Sequence, residues 1–129
     1  IAKSYALKIS KIHPDTPIIL GGNCQGGELM LMVAEELIKL GKSIHHFILI
    51  EKVCPVEVEF PITLLFGDRS SRNILRVDKD GYTMAKKHYH GLNDIMIIRG
   101  DHGQFFIDDN IGSLAEKVTN IVSNMDSLL

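Results

Sequence analysis

Apolar residues along this chain fall into runs of two kinds, which alternate. Over residues 1–12, Ile1, Ala2, Tyr5, Ala6, Ile9 and Ile12 return at helical intervals, with Lys3, Ser4, Lys8 and Lys11 elsewhere. That spacing predicts an amphipathic helix, which Pro14 and Pro17 stop. Ile18-Ile19-Leu20 is instead a short unbroken apolar run ending in Gly21-Gly22. It predicts a strand buried on both faces, as parallel sheets require. Residues 27–40 are rich in Leu, Met, Ala and Glu and are followed by Gly41. They predict a helix with a glycine just past its end, and its apolar positions nearly encircle it, so it is expected to be largely buried.

Phe47-Ile48-Leu49-Ile50, Ile62-Thr63-Leu64-Leu65-Phe66 and Ile95-Met96-Ile97-Ile98 read as three further strands. A helix is expected from about Tyr82 to His90, ended by Gly91, with Lys86, Lys87, His88 and His90 near the C-terminal end that the helix dipole favours for cations. A last helix spans roughly 111–127, where Ile111, Leu114, Ala115, Val118, Ile121, Val122 and Met125 recur every three or four residues. Alternation of this kind predicts an α/β fold, with a mostly parallel sheet of about four strands flanked by helices. The strands at 47–50 and 62–66 are the exception, because the segment 51–61 between them carries two prolines and no helical period. If they are parallel neighbours, a bare loop must make the crossover.

The chain has 129 residues, 45% of them hydrophobic, and a net charge of -2. This composition suits one core, hence a single domain over residues 1–129. Without a basic block, nucleic acid is not the expected partner. No apolar run approaches the roughly 18–20 residues that span a bilayer, so no membrane association is expected. Cys24 and Cys54 are too few for a disulfide scaffold and lack the spacing of a zinc site. With no leader visible at Ile1, they predict a reducing, cytoplasmic setting. No metal is expected: His13, His45, His46, His88 and His90 show no ligand spacing on a common face, and two residues apart on a helix would turn His88 and His90 to different sides.

Candidate chemistry starts at Ile18-Ile19-Leu20-Gly21-Gly22-Asn23-Cys24-Gln25-Gly26-Gly27-Glu28. A strand, a tight turn and an immediate helix here carry the pattern G-x-nucleophile-x-G, with Gly22, Cys24 and Gly26 in its three places. The glycines let neighbouring backbones approach, and the turn lifts the Cys24 side chain to the positive end of a helix dipole, where a thiolate is favoured. The N–H of Gln25 is then the expected oxyanion donor. A phosphate-binding loop is excluded, because no Lys-Ser/Thr follows Gly27, and no G-x-G-x-x-G fingerprint is present.

His102 is the candidate base. It lies in Gly100-Asp101-His102-Gly103, after the last strand and before the last helix, at the sheet edge where open α/β folds bind ligands. The order nucleophile, acid, histidine also matches hydrolases built on this kind of turn. Glu51 after the second strand and Asp68 after the third are both candidates to orient the imidazole. Asp101, adjacent to the histidine, reads as a turn former, and Cys54 beside Pro55 as a bystander.

With these residues in place, the chain resembles the C-terminal half of an α/β-hydrolase, and more narrowly the thioesterase domains that end nonribosomal-peptide and polyketide synthases. The likeness is carried by Leu20–Gly27, by the helix with Ala34-Glu35-Glu36-Leu37 and Gly41, by His46-Phe47-Ile48-Leu49-Ile50-Glu51, by Gly67-Asp68, and by Gly100-Asp101-His102-Gly103-Gln104-Phe105-Phe106. It implies that the acid sits at Glu51, where that family usually has Asp. Other α/β-hydrolases place it beyond the Gly that closes the next strand, which keeps Asp68 in play. Cys24 stands where most of the family has Ser; dienelactone hydrolases and polyhydroxyalkanoate synthases, whose elbows this one also resembles, use Cys. The resemblance further implies that the family's first strands, with the loop giving a second oxyanion donor, would precede Ile1. Residues 1–129 are therefore expected to be part of a longer protein or a cut-down domain.

The implied activity is an acyl-thioester hydrolase or acyltransferase working through a Cys-His-acid triad. Its substrate would be an acyl group on phosphopantetheine or CoA, with no resident cofactor and an acyl carrier protein or CoA as partner. An ester or lactone hydrolase of the dienelactone type is the enzymatic rival. A non-catalytic remnant serving as a docking or dimerisation module, either a homodimer or a partner of a missing N-terminal half, is the rival from another class.

Overall fold

The computed structural model describes residues 1–12 and 15–126, with side chains through Asn124 inside the last helix. The expected stop at Pro14, His13 and the side chain of Met125 lie outside the described residues. Among the described residues eight elements follow one another: α1 (Ala2–Ile12), β1 (Ile18–Asn23), α2 (Gln25–Lys39), β2 (Ile44–Ile50), β3 (Ile62–Gly67), α3 (Lys79–His88), β4 (Leu92–Ile98) and α4 (Ile111–Asp126). The strands form one parallel sheet in the order β1-β2-β3-β4. This is the α/β architecture that the alternating pattern predicts.

The sheet separates two apolar layers. Phe47, Leu49, Ile62, Leu64 and Phe66 point to one face, where they meet Ala6 of α1, Leu31, Val33, Ala34 and Leu37 of α2, and Ala85 of α3. Ile48, Ile50, Leu65 and Ile98 point to the other, against Phe105 and the α4 residues Leu114 and Ile121. Period-two alternation along each strand produces this division. β2 and β3 pair directly in parallel although only the loop 51–61 joins them. The loop manages this by adding a short parallel bridge of its own, Val58 to Tyr89.

Two expectations about burial fail for the same reason. β1 is an edge strand, and α4 does not cover its half of the sheet, so Ile19 stays 37% exposed and only Ile18 and Leu20 reach the core. The apolar positions encircling α2 are likewise not all used. Met32 and Ile38, 53% and 47% exposed, lie on the solvent side of a helix that buries one stripe. Where α2 ends, Gly41 does take the left-handed conformation, with φ of 84°. Lys42 N–H then bonds Leu37 C=O and Gly41 N–H bonds Ile38 C=O, the two bonds of a Schellman close.

Candidate active site

The C-terminal ends of β1, β2 and β3 and the loop after β4 bring the candidate residues to one edge of the sheet. β1 runs through both glycines to Asn23, and Cys24 caps α2 with φ of 53° and ψ of -117°. A side chain in this left-handed region costs roughly 1–3 kcal/mol, so surrounding structure must hold it. Part of the hold is a hydrogen bond from Cys24 N–H to Ile50 C=O at 2.8 Å, and Cys24 C=O accepts the first bond of the helix from Glu28 N–H. Cys24 itself is half-buried. Gln25 is the first residue of α2, where a backbone N–H has no carbonyl one turn back to bond.

The close approach beneath the turn is made by Gly22 and Gly27. A Cβ on Gly22 would fall 2.6 Å from Gly27 Cα and N, and one on Gly27 would fall 2.4 Å from Leu49 Cδ1. Gly26, the second glycine of the expected pattern, faces open space, with nothing within 4 Å of such a Cβ. The steric demand therefore sits one residue later than the motif spacing suggests.

Glu51 directly follows Ile50, whose carbonyl holds Cys24, and it too has a positive φ, 63°. Its side chain is fully buried, with 0% exposure, yet its carboxylate is well supplied with donors. Gly67 N–H reaches Oε2 at 3.0 Å, and Ser70 Oγ–H reaches Oε1 at 2.5 Å. His102 Nδ1 meets the same Oε1 at 2.8 Å. The imidazole is thus carried from beyond β4, across the end of β3, to a carboxylate one residue past the carbonyl that fixes Cys24.

The histidine loop is built for that reach. Gln104 N–H closes a turn onto Asp101 C=O at 3.0 Å, with Gly103 at φ 80° in the position where such a turn requires left-handed backbone. Asp101 turns its own carboxylate to Arg69, at 3.6 Å. Asn110, buried at the start of α4, donates to Gln104 C=O at 2.7 Å and secures the loop from the other side. The His102 side chain is 40% exposed, and with Nδ1 on Glu51 its Nε2 makes no hydrogen bond among the described residues. No hydrogen bond joins Nε2 to the Cys24 thiol.

Asp68 is not brought to His102. Its Oδ1 accepts Gly100 N–H at 2.9 Å, and its own N–H bonds Ile98 C=O, so it ties the end of β3 to the loop after β4. Lys52 and Glu28 form an ion pair at 3.0 Å that straps the loop after β2 to the first turn of α2. Glu28 beside it holds the Lys52 ammonium pKa above its usual value. A cavity of about 300 Å³ opens next to Glu51, lined by Glu51, Lys52, Val53, Phe66, Arg72 and Met84 among others. Cys54 is buried, which pushes its thiol pKa up.

The structure also gathers residues for which the sequence predicted no ligand role. α3 stops at His88, Tyr89 forms the bridge to Val58, and His90 lies in the turn that follows. The helical spacing that would separate His88 from His90 therefore does not apply, and both reach Glu57, at 2.6 and 2.5 Å. The missed signal was period-two alternation on both sides of the bridge, in Glu57-Val58-Glu59 and His88-Tyr89-His90. Ser70, the other missed partner, carries no motif that marks it.

Comparison with known proteins adds one likeness. Over 59 residues, 46% of this chain, the sequence is 36% identical to the non-reducing polyketide synthase terA of Aspergillus terreus (strain NIH 2624 / FGSC A1156). The match covers 3% of that much longer protein. No protein-family description matches the chain. Among the described residues, no helix is long and apolar enough to cross a membrane.

Proposed function

We propose that residues 1–129 form a thioesterase-like α/β-hydrolase domain that cleaves or transfers acyl groups from a phosphopantetheine or CoA thioester. The observation that carries the reading is the Glu51–His102 contact at 2.8 Å, made beside the strained turn that presents Cys24. The partial likeness to a polyketide synthase, an enzyme class that builds on carrier-bound thioesters, favours this substrate class over free esters or lactones.

In the proposed reaction His102 Nε2 takes the Cys24 thiol proton, and Glu51 holds the imidazolium that results. The thiolate attacks the acyl carbonyl carbon, while the developing oxyanion rests on Gln25 N–H at the start of α2. The bond to the carrier sulfur then breaks, and His102 returns its proton to that leaving thiol. Water or another nucleophile, deprotonated by His102, releases the acyl group and regenerates Cys24. Asp68 serves the loop that carries His102 and takes no part in proton transfer.

The test is acyl-enzyme formation from acyl-CoA and acyl-pantetheine, followed by intact mass. Cys24→Ala and His102→Ala abolish the adduct, and Cys24→Ser retains partial turnover. Full turnover by Cys24→Ala removes the mechanism, and preferential cleavage of lactones or p-nitrophenyl esters moves the substrate to the dienelactone class. The absence of a thiol–imidazole hydrogen bond favours a second reading, a non-catalytic docking module. Iodoacetamide separates the two: an activated Cys24 reacts faster than a free model thiol, an inert one no faster.

A further inference from the structure

The Val58–Tyr89 bridge lies away from the candidate active site and carries an unusual set of side chains. His90 N–H bonds Val58 C=O at 2.8 Å, and Val58 N–H bonds His88 C=O at 3.0 Å. Val58 and Tyr89 point inward and are buried. Alternation therefore sends Glu57, Glu59, His88 and His90 outward together. The backbone beneath them is fixed: the Tyr89 hydroxyl accepts Cys54 N–H at 2.7 Å and donates to Cys54 C=O at 3.0 Å.

Two carboxylates and one imidazole on a fixed frame are a chelating set, and a second imidazole stands beside them. Glu57 already holds His88 Nδ1 through one oxygen and His90 Nε2 through the other, and Glu59 Oε1 stands 3.7 Å from the same Nε2. One ligand atom each from Glu57, Glu59 and His90 lies within 4.8 Å of the other two. Ligand atoms around a tetrahedral zinc, with bonds of about 2.0–2.2 Å, are roughly 3.4 Å apart. Small rotations of exposed side chains cover the difference. An imidazole among the ligands disfavours calcium and magnesium, which take oxygen ligands.

We propose that Glu57, Glu59 and His90 bind one divalent ion of the zinc class, with His88 beside them on one Glu57 oxygen. The ion ties the connection between β2 and β3, the segment that begins with Glu51, to the junction of α3 and β4. Its role is structural, so the site stands or falls independently of the acyl chemistry proposed for Cys24.

The full chain, stripped with a chelator, is titrated with zinc chloride and separately with cobalt chloride. One equivalent binds, Tm rises with ion concentration, and cobalt gives the visible bands of a tetrahedral nitrogen–oxygen site. His90→Gln and Glu57→Gln each weaken binding by at least about tenfold. Cys24→Ser leaves binding unchanged. On the unsubstituted chain, zinc also protects His90 from diethylpyrocarbonate, which keeps the test independent of variant folding. Absence of saturable one-equivalent binding overturns the site. So does binding that survives both substitutions, or binding lost on Cys24→Ser, which would place the ion at the thiol.

Discussion

Ser70 donates its hydroxyl to the same Glu51 oxygen that meets His102. A fully buried carboxylate survives folding only when its lone pairs are taken, and Glu51 has three donors in Ser70, Gly67 N–H and His102. Ser70→Ala removes one of them with almost no change of volume. The expected loss is about 1.5–3 kcal/mol, the range for hydrogen bonds to charged groups, read as a lower midpoint in urea with the slope unchanged. An unchanged midpoint would mean that water replaces the hydroxyl and that Glu51 is less enclosed than its burial implies.

Gly22→Ala and Gly26→Ala separate steric need from motif spacing. The first would drive a methyl group to 2.6 Å from the Gly27 backbone, which cannot move aside like a flexible side chain. Overpacking of this sort costs about 1–3 kcal/mol and here also displaces the turn that presents Cys24. Gly26→Ala meets nothing, lies in the first turn of α2, and is expected to be neutral or to stabilise by up to about 1 kcal/mol. Thermal unfolding of the two variants side by side reads the difference.

Much of this was legible from residue order. Unbroken apolar runs marked the parallel strands, and Gly22 with Cys24 marked the turn, because both patterns answer to local geometry. Glu51 and Asp68 could not be separated that way: each follows a strand, and only the path of the histidine loop decides which one the imidazole meets. Ser70 was invisible because its partner is nineteen residues away in sequence. His88 and His90 were misjudged because the helix ends at His88, and the bridge at Tyr89 lets both rings reach Glu57.

His46 makes the fold sensitive to mild acid. It is buried on β2, bonded to Thr63 Oγ1 at 2.7 Å, and burial lowers its pKa below the ordinary histidine value of about 6.5. The unfolded chain therefore takes up the proton more readily than the folded one. The contribution of the neutral ring is complete above pH 6.5 and is lost as pH falls from there through the lower folded-state value. Urea midpoints measured from pH 7.5 to pH 5 should fall more steeply for the unsubstituted chain than for His46→Gln, which keeps a polar group near Thr63 without the titration. Parallel curves would show that other groups carry the acid sensitivity.

Glu51→Gln and Asp68→Asn put the choice of acid to a kinetic test. A glutamine at 51 keeps the size of the side chain and can still accept from Ser70 or Gly67, but it cannot balance an imidazolium. Loss of the corresponding carboxylate in a serine-protease triad costs about 10⁴ in turnover; with a thiol, which ionises more readily than a hydroxyl, about 10²–10⁴ is expected here. Asp68→Asn retains an oxygen that can accept Gly100 N–H at the same place, so the histidine loop keeps its anchor and acylation should change by no more than about twofold. Single-turnover acylation from acyl-CoA, with circular dichroism to verify folding of both variants, gives the comparison directly. A large loss in Asp68→Asn beside a small one in Glu51→Gln would transfer the acid's role to Asp68 and require the loop after β4 to swing away from Glu51 during the reaction.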